Sequence, residues 1–108
     1  MAEHRNDQMI DMEKARREEL RWMILMALNA AQPIGTSEYI IMKAIEPVVP
    51  DVTFNELRCA LDYLEERKLI SVNYKETPVW FAKINRFGID VIEYTIECLP
   101  GIARPRKW

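Results

Sequence analysis

Few residues in this chain are of types that carry out covalent or proton-transfer chemistry, and none is spaced for it. The single histidine, His4, stands in a polar N-terminal stretch, where it has no nucleophile to activate. Cys59 and Cys98 are far apart, with no CxxC and no neighbouring histidine. That spacing excludes both a zinc-ligand pattern and a disulfide framework. Cys59 projects from a helix surface, but no Lys or His beside it would lower its pKa, so a bland surface thiol is the favoured reading. Carboxylates pair at Glu18–Glu19 and Glu65–Glu66, yet successive residues on a helix point about 100° apart. No Gly-rich phosphate loop is present. The expectation is a protein that is not an enzyme and needs no metal or cofactor. What remains is recognition chemistry, concentrated in "TFNELRCALDYLEERKLI", which begins at Thr53.

The composition is that of one small domain. The chain has 108 residues, 49% apolar and 30% charged, with three glycines. A formal charge of −2 gives no basic signature for nucleic acid. The opening stretch "MAEHRNDQMIDMEKARREEL" is too polar for a signal peptide. The longest apolar run, Trp22 to Leu28, is too short to span a bilayer. A cytoplasmic location with reduced thiols is expected.

Several elements must position the Thr53 segment. Residues 1–8 read as a flexible N-terminus and residues 9–98 as the domain, with a basic tail over 99–108. Met9 to Ala31 reads as one helix, whose second half "LRWMILMALNAA" is apolar on nearly every side. Such a helix is buried on more than one side. Wrapping by its own domain and burial against a partner subunit both account for that. Pro33 and Gly35 break the helix, and Thr36 or Ser37 can cap the next. The second helix buries a stripe of Ile40, Ile41, Ala44 and Ile45, and Pro47 and Pro50 end it. Thr53 and Glu56 form a capping box, with Val52 and Leu57 at staple positions, so a third helix starts at Thr53. "LISVNY" and "VWFAKI" read as two strands of a hairpin about "KETP". Asn85 caps a final helix, with Ile89, Val91, Ile92 and Ile96 on its apolar side.

Three helices, a hairpin and a closing helix, carried by these motifs, resemble the winged helix-turn-helix superfamily. The small one-domain bacterial regulators of the MarR, PadR and ArsR kinds are the nearest in pattern. "LDYLEERKLISV" looks like the stretch where the recognition helix passes into the first wing strand, with Lys68 in place of the usual glycine. That replacement implies a differently closed helix end. "INRFGIDVI" is similar to the segment opening the helix after the wing, and it keeps Gly88. The resemblance covers about residues 15–98 and implies a mostly helical α+β winged helix.

It also implies double-stranded DNA as a partner. Helix 53–67 would enter the major groove, with Asn55 and Arg58 near the bases and Thr53 at its start. Lys43 and Lys75 would touch phosphate. The regulator would be a homodimer joined by the first and last helices, through Trp22, Met23, Met26, Ile92 and Ile96. Against this, the outward face of helix 53–67 is acidic, with Asp62 and Glu66, and carboxylates are repelled between rows of phosphates. The alternative is a winged helix that docks a protein partner through that acidic face and exposed aromatics at Tyr63, Trp80 or Trp108.

Overall fold

The computed structural model describes the backbone of residues 2–107 and the side chains of residues 11–107. His4 and Trp108 therefore lie outside the described side chains. Among the described residues the fold is α+β, with helices α1 (Ala2–Ala30), α2 (Glu38–Ile45), α3 (Phe54–Glu66) and α4 (Arg86–Ile92). The strands are β1 (Thr36–Ser37), β2 (Ile70–Asn73) and β3 (Phe81–Ile84), in one antiparallel sheet of order β1-β3-β2. The hairpin pairs Ile70 with Ile84 and Asn73 with Phe81. Alternation sends Ile70, Val72, Ala82 and Ile84 inward. β1 is a third strand that the sequence did not announce. Its Ser37 both pairs with Phe81 and caps α2, accepting from the Ile40 N–H at 3.4 Å.

Helix α1 begins ahead of the expected start at Met9, in a stretch without Gly or Pro to break it. Its apolar second half is wrapped by its own chain: α2, α3, α4 and β3 all pack on it. Ile24, Leu25 and Leu28 are fully buried there, beside Leu57, Leu61 and Leu64 of α3. Each such side chain contributes about 1.5–3 kcal/mol on leaving water.

Helix α2 is rotated from the expected stripe. Its buried positions are Glu38, Ile41, Met42 and Ile45, while Ile40 is 55% exposed and Ala44 also faces solvent. These buried positions keep the i, i+3, i+4, i+7 spacing, but one of them is a glutamate, which hid the phase. Phe54, expected in the core, sits at the first turn of α3 and is 40% exposed.

Helix α4 ends at Ile92, where Tyr94 takes φ +60°, so Ile96 lies beyond it. The tail then docks instead of hanging free. Arg21 donates to Gly101 O at 2.8 Å, Arg67 to Pro100 O at 2.9 Å, and the Ala103 N–H to Glu18 O at 3.1 Å. Arg104 donates to Val91 O and Ile96 O, and Tyr94 Oη to Pro105 O. Nothing in the basic composition of residues 99–108 announces this docking. Yet the guanidinium of Arg104 binds the carbonyl of Val91 at the end of α4 and that of Ile96 beyond it, which ties the tail to the domain.

Candidate functional site: the outer face of α3 and the hairpin

The start of α3 is fixed as the capping box requires. Glu56 N–H donates to Thr53 Oγ1 at 3.1 Å, and Thr53 N–H donates to Glu56 Oε1 at 3.3 Å. Glu56 also accepts from Arg16 of α1 at 2.9 and 3.0 Å, which ties α1 to this helix end. Thr53 thus serves the helix terminus. Beside it, Asn55 and Cys59 are exposed.

Arg58 turns out to be committed inside the domain. Its Nε and Nη2 grip Glu38 Oε1 and Oε2 at 2.8 and 2.7 Å, and Nη2 also donates to Pro78 O at 3.0 Å. Glu38 is only 1% exposed. It accepts a further hydrogen bond from the Trp80 N–H at 2.6 Å, while its own N–H donates to Trp80 O. The Arg58 guanidinium lies 4.6 Å from the centre of the Trp80 ring. Arg58 holds the Glu38 carboxyl below its ordinary pKa of 4.5, with the Trp80 N–H helping against the opposing cost of burial. Glu38, the residue that organises this face, escaped the sequence reading. Its only sequence signal is its i, i+3, i+4, i+7 spacing with Ile41, Met42 and Ile45.

Lys75 is likewise engaged. Its Nζ meets Asp62 Oδ1 at 2.6 Å and Glu65 Oε1 at 2.8 Å, and Glu65 Oε2 accepts the Val72 N–H at 2.9 Å. The two acids raise the Lys75 pKa above its ordinary value, Asp62 most. Of the five residues assigned to DNA, Asn55 and Lys43 are exposed and have no side-chain partner among the described residues, while Arg58, Lys75 and Thr53 are occupied within the chain.

The aromatic surface also differs from expectation. Tyr63 lies between Arg21 and Arg67, at 3.5 and 4.8 Å from its ring centre, and it packs on the core. Trp80 is half-buried beneath Arg58. The solvent-facing aromatics are others. Tyr39 and Phe54 meet edge-to-face at 5.3 Å where α2 and α3 begin, next to exposed Ile40.

Of the five residues assigned to a dimer seam, Trp22 is a core residue at 6% exposure. Met23 and Ile92 are half-buried, and Met26 and Ile96 keep surface to offer a second chain. Among the described residues no group of His, Cys, Asp or Glu is arranged to hold a metal ion, and no helix is long and apolar enough to cross a membrane. No family model, curated protein or solved structure matches this chain.

Proposed function

We propose that the chain is a winged helix turned to protein docking. Its α2–α3 face receives a partner protein that presents an apolar anchor flanked by basic side chains. The order of helices, the β1-β3-β2 sheet and the hairpin after α3 support the winged-helix reading. The docking reading is carried by one observation, the bidentate hold of Arg58 on buried Glu38. Pulling Arg58 out to a base would leave Glu38 buried without its cation. That costs about 3 kcal/mol, the low end for buried pairs because the guanidinium is partly solvated. A bidentate base contact returns only about 1–3 kcal/mol. The exchange gains nothing, so the arginine stays home. The face then offers Tyr39, Ile40 and Phe54 as apolar surface, with Glu66 exposed along α3 and Asp62 shared with Lys75.

Selection of displayed peptides on the immobilised protein tests this reading. Recovered peptides should pair an aromatic or aliphatic anchor with Lys or Arg. Phe54→Ala should weaken them about tenfold, as an interface anchor does, and Glu66→Lys should weaken them further.

A second reading, a DNA-binding regulator, is favoured by exposed Asn55 and Lys43 near the start of α3 and on α2. Fluorescence anisotropy with a labelled random duplex at low salt separates the two. Micromolar binding that falls steeply with salt and is lost in Lys43→Glu would overturn the docking reading.

A further inference from the structure

A second surface, away from the Tyr39–Phe54 face, has the make-up of a ligand site. Beyond the end of α3, the docked tail and α4 enclose a cleft of about 250 Å³. Its apolar lining is Leu69, Phe87, Val91, Ile96, Leu99 and Ile102. Three of these are unusually open to solvent: Phe87 at 57%, Ile96 at 37% and Leu99 at 65%. Exposed apolar side chains gathered around one cleft, as opposed to singly scattered ones, mark binding surfaces. The half-buried Cys98 thiol, pushed above its ordinary value of 9.0 by burial, stays neutral and adds to the apolar wall.

The charged groups lining the cleft are unequal. Arg67 and Lys68 supply two cations against one carboxylate, Glu97. No ion pair among the described residues engages Lys68, whereas Lys75 and Arg58 are both neutralised by acids. Among the described residues Arg67 donates to the Pro100 carbonyl and faces the Tyr63 ring, neither of which cancels its charge. Lys68 is also held at φ +64°, a conformation in which glycine would close the helix with less strain. Strain kept by a non-glycine residue at the mouth of a cavity points toward a use for its side chain.

We propose that this cleft binds a small amphipathic carboxylate. Its apolar body lies along Val91, Ile96 and Leu99, and its carboxylate meets Lys68 and the free edge of Arg67. The volume falls just under the ~300 Å³ at which sites for drug-sized ligands begin. That selects a compact or medium-chain acid over a large one. The site is separate from the docking face, so either reading can fail alone.

Decanoate is the probe, followed by amide chemical shifts of the labelled protein, with decanol as the neutral control. Decanoate should shift Leu69, Val91, Cys98 and Ile102 saturably and bind about tenfold more tightly than decanol, a difference one charge-assisted contact supplies. Lys68→Gln should remove that preference, and Leu99→Gln, at an exposed position, should weaken both ligands. Circular dichroism of both variants should match the parent. The proposal is overturned by equal affinity for decanol, by shifts confined to other surfaces, or by no binding up to the solubility limit. It is equally overturned if sedimentation shows a second copy of the chain closing the cleft at the concentrations used.

Discussion

At the level of single residues, the Glu38–Arg58 pair separates this face from a set of free cations. A buried carboxylate stripped of its partner is the costly case, and replacing both members is far milder. Arg58→Met should therefore destabilise the fold by about 3 kcal/mol, read by urea denaturation. The double variant Glu38→Leu with Arg58→Met should recover a good part of that loss, a non-additivity that contact between the two residues predicts. A purely superficial ion pair would show neither effect. The pair also sets a pH dependence. Because Arg58 and the Trp80 N–H hold the folded Glu38 pKa below 4.5, its contribution is complete above that value. It is lost as pH falls through the depressed folded value. Parent stability should thus decline in acid below about pH 4.5, and a Glu38→Gln variant should decline less steeply over the same window.

At the level of elements, the end of α3 shows what the fold demands and what the sequence withholds. Lys68 N–H bonds to Glu65 O at 2.9 Å and Leu69 N–H to Leu64 O at 3.0 Å, the two bonds of a Schellman closure. The terminus therefore closes in the ordinary way despite the missing glycine, because Lys68 itself takes φ +64° and Asn85 Nδ2 holds its carbonyl at 2.8 Å. Lys68→Gly should raise stability by about 1 kcal/mol, which thermal melting should report as a Tm higher by roughly 4–8 °C. Gly88 behaves oppositely. A Cβ there would run into Leu69 O, backbone that cannot step aside. Gly88→Ala should cost about 1–3 kcal/mol by pushing α4 off the start of β2, measurable in the same melts.

At the level of the whole molecule, the tail is a strap fastened to α1, α3 and α4 by side chains near the surface. Ile102, which packs against the core, is only half-buried. Few buried apolar contacts mean a low local opening free energy. In hydrogen exchange, the Ala103 N–H should be released about tenfold or more before the amides of Leu61 and Val72, which open only with the core. Equal protection would mean that the strap folds as one unit with the helices. Gly101 is its tightest point, at φ +117° with Tyr63 Oη against the place a side chain would occupy. Gly101→Val should free the strap and dismantle the apolar cleft without unfolding α1 to α3.

Local signals settled much of this protein in advance. The capping box at Thr53, the alternation in the two hairpin strands, the Asn85 cap and the apolar half of α1 each draw on residues within a few positions of one another. Hydrogen bonding at a helix end and burial of one face act over that range. They marked the four helices and the hairpin and most of the core, but not the short strand β1. What they left open depends on pairs far apart in the chain. Whether α1 was wrapped by its own domain was decided by α2, α3, α4 and β3 packing on it, and which way α2 turned and whether Arg58 was free were decided by Glu38 meeting Arg58 and Trp80. The tail was decided by Arg21, Arg67 and Tyr63 closing on Gly101. A charged side chain reads as solvated until its partner is brought beside it, and only the tertiary structure brings residues 38, 58 and 80 together.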